Sequence, residues 1–118
     1  MSNVRKKTMN ILLKIGVSDN LLGHRFIVKA VEVCAEDNTA IDNVTKVLYP
    51  RIAEFFDTTP PRVERGIRHA IETAWVYGDF EILNEYFGNT VRAHKGNPTN
   101  SLFLARIVNI VLEDEDDD

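Results

Sequence analysis

The segment Thr45–Tyr77, TKVLYPRIAEFFDTTPPRVERGIRHAIETAWVY, constrains this chain more than any other. It holds two apolar-periodic runs, separated by Asp57-Thr58-Thr59 and then by the prolines Pro60-Pro61. In the second run Val63, Ile67, Ala70, Ile71, Ala74 and Trp75 fall at i, i+4, i+7, i+8, i+11 and i+12. At about 100° per residue these positions share one side of a helix, as a core-facing helix requires. Arg62, Arg65 and Arg68 recur every three residues on the other side, with His69 and Glu72 beside them. In the first run Val47, Leu48, Ile52, Ala53, Phe55 and Phe56 repeat in the same helical way. Pro50 interrupts that run and is tolerable only in a first turn, so the helix is expected from near Thr45–Lys46 to near Phe56. For the second helix two starts are open. Thr59 can cap it with both prolines in the first turn, or Pro60 stays extended because the proline after it disfavours α there. Either way two helices meet across a three- to five-residue turn, a helix-turn-helix whose recognition helix spans about 61–76.

The arginine stripe sets what such a unit can bind. Guanidiniums on an exposed face near a helix N-terminus can fork onto guanine O6 and N7 in a major groove, or pair with backbone phosphates. Glu64 lies at the edge of that face; its carboxylate repels phosphate but can accept from a cytosine amino group. The competing reading is a solvated face on which Glu64 and Arg68 form an i, i+4 pair. The helix and turn that precede the stripe favour DNA.

The runs TKVLYPRIAEFFDTTPPRVERGIRHAIETAW, FGNTV and PTNSLF, with IGV at Ile15–Val17, resemble a known family. It is the C-terminal DNA-binding domain of the master response regulator of sporulation in endospore-forming bacteria (stage 0 sporulation protein A). The resemblance extends to about Leu112. It implies an all-α domain of about six helices around one core. Its helix-turn-helix would be of the winged-helix-like type found in response-regulator effector domains, without a clear wing. It further implies binding to short DNA boxes as head-to-tail pairs, with Arg62, Glu64 and Arg65 reading bases. Pro61, Arg68 and His69 are further candidates for DNA contact on that surface. Thr58 and Thr59 in the turn, and Arg92 and Lys95 in the later loop, are the expected phosphate contacts. The 79–87 region is implied as a contact for RNA polymerase sigma factor. Two departures stand out. Family members usually begin with a phosphorylatable receiver domain, which is not in this sequence, and they tend to carry Ala-Ser where this chain has Pro60-Pro61. A Ser-x-x-Glu capping option at positions 61 and 64 is lost with that serine, along with a hydroxyl contact to DNA.

The rest of the chain fits one domain of 118 residues, large enough for a single core. Residues 3–15 read as a first helix with Val4, Thr8, Ile11, Leu12 and Ile15 on one side, stopped by Gly16. A second helix is expected from His24 to about Glu36, with Phe26, Ile27, Ala30, Val31 and Cys34 inward. His24 and Arg25 at its start are within the reach of a phosphate at a positive helix end. Gly78 stops the recognition helix. Asp79–Phe87 reads as a short helix with Phe80, Leu83, Tyr86 and Phe87 inward and an acidic outer face of Asp79, Glu81 and Glu85. A loop over Asn89–Thr99 follows, then a last helix with Phe103, Leu104, Ile107, Val108 and Val111 closing the core.

Net charge is −4, which at first argues against nucleic acid. Six of the 18 acidic side chains, however, are the last six residues, Glu113–Asp118. The remaining 12 acidic and 14 basic side chains leave the body at +2. Six like charges in a row repel and cannot bury, so residues 1–112 are expected as the domain and 113–118 as a disordered acidic tail. The single cysteine excludes a disulfide framework or a cysteine metal site within one chain. No secretory signal or membrane-length apolar run is present, and a cytoplasmic location is expected. No phosphate-cradling glycine loop, metal-binding histidine spacing or nucleophile motif occurs, so no enzyme, cofactor or metal is expected. Besides a sequence-specific regulator binding double-stranded DNA, two alternatives fit: a protein-interaction module on the same scaffold, and a non-specific nucleoid-type DNA binder.

Overall fold

The computed structural model of the chain describes residues 3–94 and 96–116, with side chains placed for residues 3–88 and 96–113. Helix α1 (Asn3–Ile15) buries Thr8, Ile11, Leu12 and Ile15. Its β-branched and Asn residues are indifferent helix formers, each costing a few tenths of a kcal/mol up to about 0.7 kcal/mol. Fully burying a side chain such as Leu12 or Ile15 contributes about 1.5–3 kcal/mol, so the buried stripe decides the conformation. The Thr8 hydroxyl donates to the Val4 carbonyl at 2.7 Å, so this polar group enters the core satisfied. Gly16 ends the helix as expected. Its φ of +93° is left-handed, and the N–H groups of Gly16 and Val17 both return to the Leu12 carbonyl, at 3.1 and 2.9 Å.

Helix α2 (Leu22–Glu36) starts two residues before the expected His24 and crosses both α1 and α4. Its contact with α4 (Pro60–Tyr77) is the most extensive in the molecule. A 3-10 turn at Ala40–Asp42 leads to a widened π-turn at Val44–Leu48, where the Leu48 N–H reaches back five residues to the Asn43 carbonyl at 3.1 Å. Helix α3 (Tyr49–Phe55) follows, with Pro50 in its first turn. A proline ring collides with the carbonyl four residues earlier; widening the turn just before Pro50 is a physical route around that collision. The helical path therefore runs unbroken into Pro50.

Helix α5 (Phe80–His94) passes through a kink at Phe87 (φ −129°, ψ 17°) rather than ending there. The loop expected over 89–99 thus narrows, and its backbone to His94 is helical. Helix α6 (Asn100–Asp116) places Phe103, Leu104, Ile107, Val108 and Val111 in the core, as expected. The Phe87 and Phe103 rings stack 5.2 Å apart, and Trp75 meets both edge-on. The backbone of α6 continues into the acidic run as far as Asp116. Carboxylates at that end oppose the helix dipole, so the charge does not favour the extension. Asp117 and Asp118 lie outside the described residues. Among the described residues there are six α-helices and no strand, an all-α fold without a wing.

Two expected core positions are corrected. Phe55 is 62% exposed, with the Lys29 ammonium 3.8 Å from its ring centre and Phe56 taking the inward place against Phe26. Phe80 is 71% exposed, because α5 starts at that residue and only its later positions, Leu83 and Phe87, reach the core. At Phe55 the adjacent Phe56 occupies the inward position, and at Phe80 the first apolar residue of the run lies beyond the end of the packed face.

The α2–α4 crossing is a contact of backbones. A Cβ on Gly23 would run into the Gly66 carbonyl oxygen and stand 2.7 Å from the Ala70 Cβ. Gly23→Ala gains helix propensity of about 1 kcal/mol. The added methyl meets main chain that no rotamer change can move, and overpacking of about 1–3 kcal/mol or more outweighs the gain. The expected outcome is a thermal midpoint lowered by roughly 5 °C or more in a circular-dichroism melt.

His24 supplies a second test. It is buried rather than presented to solvent, and burial pushes its pKa below the usual 6.5; Asp19 opposes this, while Arg5 and Arg25 act in the same direction as burial. A buried, neutral imidazole does not serve as a cationic phosphate contact, whereas Arg25 is exposed. The unfolded chain binds this proton more tightly than the folded one. The stabilisation is therefore complete above the usual pKa and is lost as pH falls through it to the lower folded value. Thermal midpoints measured from pH 7.5 to 5 are expected to decline, and less steeply in His24→Gln.

Candidate nucleic-acid interface

The turn before α4 is built by a left-handed residue that is not glycine. Asp57 has φ +54°, and the Thr58 N–H returns to the Ala53 carbonyl at 2.9 Å, which ends α3 sharply. Thr59 is extended (φ −118°, ψ 151°), and α4 begins at Pro60, so both prolines occupy the first turn. Proline has no N–H, so two of the donors normally stranded at a helix start do not exist. The N–H groups of Arg62 and Val63 both find the Thr59 carbonyl at 3.0 Å. The Thr59 hydroxyl makes no capping bond and the residue is exposed; Thr58 is half-buried beside it.

From that start the two faces of α4 separate cleanly. Val63, Ile67, Ala70, Ile71 and Ala74 are buried. Pro61, Arg62, Arg65, Arg68 and His69 are exposed, and Glu64 is half-buried at the boundary. The structure thus brings Arg62, Glu64, Arg65, Arg68 and His69 onto one outward surface, immediately after the Thr58-Thr59 turn. Among the described residues Arg62 and Arg65 carry no ion pair. Arg68 does: its guanidinium is 2.8 Å from the Glu64 carboxylate, with both side chains about half exposed. An exposed i, i+4 pair contributes only about 0.3–0.5 kcal/mol. A good bidentate contact to a base discriminates by about 1–3 kcal/mol, so the pair can yield to one. The Arg92 side chain and all of Lys95 lie outside the described residues, and their expected phosphate contacts have no geometry here.

Behind Glu64 is a residue that the sequence pattern did not single out. The Asn100 side-chain amide, in the first turn of α6, donates to the Glu64 carbonyl and to the Tyr49 hydroxyl, each at 3.0 Å. A backbone carbonyl can only accept, so the nitrogen side of the amide must face it. Tyr49 is buried, and burial raises its pKa, with the Asn100 bond opposing. An open cleft of about 520 Å³ lies over these groups, lined by Thr45, Tyr49, Glu64, Arg68, Glu72 and residues 97–101. Asn100 is 36 positions from Glu64 and 51 from Tyr49, so no local spacing pointed to the tie.

A family model described as "Sporulation initiation factor Spo0A C terminal" matches residues 8–111, which takes in α3, the turn and all of α4. The chain belongs to this family. The Spo0A C-terminal family is a DNA-binding domain of a sporulation transcription factor, and the outward arginine surface is the chemistry such a domain needs. Among the described residues no group of His, Cys, Asp and Glu is placed to hold a metal ion, and no helix is long and apolar enough to cross a membrane. Cys34 is fully buried, with its thiol pushed up to about 11 by burial, so it is a packing residue. Removing the Glu64–Arg68 pair is expected to matter little to folding: Arg68→Ala should change stability by less than about 1 kcal/mol in urea titration.

Proposed function

We propose that this Spo0A C-terminal domain is a sequence-specific transcription regulator that lays α4 in the major groove of double-stranded DNA. The observation that carries this is the pairing of a fully buried inner face with an outward surface on which, among the described residues, Arg62 and Arg65 carry no ion pair. In this arrangement Arg62 and Arg65 donate to guanines, and Glu64 exchanges Arg68 for a cytosine amino group. Pro61, Arg68 and His69 line the same groove. Thr58, Thr59, Arg92 and Lys95 hold phosphates on either side and set the register. Two copies fill tandem boxes head to tail.

Two further parts of this proposal lie away from the groove. The 79–87 region faces RNA polymerase sigma factor. Exposed Val76, Tyr77 and Phe80 next to Asp79, Glu81 and Glu85 supply the apolar and acidic character that such a contact with a basic partner needs. Residues 1–112 form the DNA-binding domain, and the acidic run from Glu113 is a tail that competes weakly for the arginine surface and lowers non-specific affinity. The protein works in the cytoplasm, where its DNA is.

Base reading and phosphate holding separate by mutation. Arg65→Ala is expected to cost roughly 1–3 kcal/mol on the cognate box and to relax sequence choice at one position, measured by fluorescence anisotropy. Lys95→Ala is expected to weaken cognate and scrambled duplexes equally and to reduce the salt slope by about one. Equal losses for Arg65→Ala on both duplexes would remove Arg65 from the base readers.

A further inference from the structure

Among the helices that support α4, α6 is tied to its N-terminal turns by the Asn100 side chain. Asn100 opens α6, and its amide bridges to the carbonyl of Glu64 in the second turn of α4 and to the hydroxyl of Tyr49 at the start of α3. The Glu64 carbonyl lies one peptide from Arg65 and on the same residue as the proposed cytosine acceptor. It also takes part in the ladder of α4 itself, so the bond from Asn100 is an additional, lateral one. A lateral bond is not needed to form the helix; it resists rotation of the helix about its own axis and sliding along it. Base-edge contacts are sensitive to such shifts, because a bidentate fork tolerates little displacement, while phosphate contacts through long flexible side chains tolerate more.

We propose that Asn100 is a positioning residue for base reading: its amide fixes the rotation of the first turns of α4 against α3 and α6, and so sets where Glu64 and Arg65 present to the groove. This rests on the base-reading function proposed above. The two arms of the clamp are not equivalent. The Glu64 arm holds the reading helix, whereas the Tyr49 arm anchors the amide and satisfies a buried hydroxyl. The side chain of Glu64 is steadied separately by Arg68 at 2.8 Å, so main chain and carboxylate are held from different directions.

The experiment is fluorescence anisotropy on a duplex with tandem family-type boxes and on a scrambled duplex, for the unmodified chain, Asn100→Ala, Asn100→Asp and Tyr49→Phe, each first checked by thermal melt. Asn100→Asp keeps the size and an acceptor for the Tyr49 hydroxyl but removes both N–H donors, so it tests the Glu64 arm even if Asn100→Ala melts early. For both Asn100 variants the preference for boxes is expected to fall roughly tenfold, with affinity for the scrambled duplex within about twofold of the unmodified chain. Tyr49→Phe is expected to retain most of the preference. Adding Glu64→Ala to Asn100→Ala should cost less preference than Glu64→Ala alone, whereas a purely structural role would leave the two losses additive. A preference that survives in folded Asn100 variants, or a parallel loss on both duplexes, overturns the positioning role alone. No preference in the unmodified chain overturns the base-reading function, and the positioning role with it.

Discussion

The approach of α2 to α4 at Gly23 and Gly66 is the constraint from which the rest of the geometry follows. Only a hydrogen at Gly23 lets the two backbones come so close, and Phe26 lies across the matching gap at Gly66. Because Gly66 sits in the second turn of α4, the contact bears on the part of that helix that carries Arg62, Glu64 and Arg65. A helix held by backbone contact on one flank, and by the Asn100 amide on the other, has little freedom to roll. In the base-reading function proposed above, preorganisation of this kind would let the guanidiniums meet base edges without first paying to order the scaffold.

Charge acts on a different scale from packing. The chain as a whole is acidic, and net charge alone would predict repulsion from DNA. The distribution reverses that, because six of the acidic residues form a run at one terminus while Arg62, Arg65 and Arg68 share one helix face. At a Debye length of about 8 Å in physiological salt, a phosphate on the α4 surface responds chiefly to the nearest side chains. The Glu64–Arg68 pair is consistent with that local view: weak enough to break, yet close enough to hold a carboxylate beside the exposed arginine surface.

Much of this was legible in the amino-acid order, for physical reasons that differ by element. The buried stripe of α4 repeats at the helical period, so its inner and outer faces follow from the amino-acid order alone. Gly16 was legible as a stop because a left-handed residue is needed there, and the span of α1 followed from its apolar spacing. Phe80 lies outside the core because periodicity does not say how far along the helix the neighbour extends, and Phe55 does so because two adjacent rings on a helix point about 100° apart and Phe56 takes the inward place. The π-turn before Pro50 shifts a hydrogen bond by a single step and the kink at Phe87 is a departure in one residue's backbone angles, and neither leaves a mark in an apolar pattern. Asn100 was invisible for a deeper reason: its partners are a backbone carbonyl and a hydroxyl on two other helices, and only the fold brings them within 3.0 Å.

The central claim is that α4 reads sequence. Its most direct test is fluorescence anisotropy of the unmodified chain on a duplex with two tandem family-type boxes against a scrambled duplex of equal length, across a salt series. Base reading predicts tighter binding to the boxes by at least about tenfold, with the difference persisting as salt rises and phosphate attraction fades. Equal affinities that fall together with salt would contradict it and leave only a non-specific electrostatic binder.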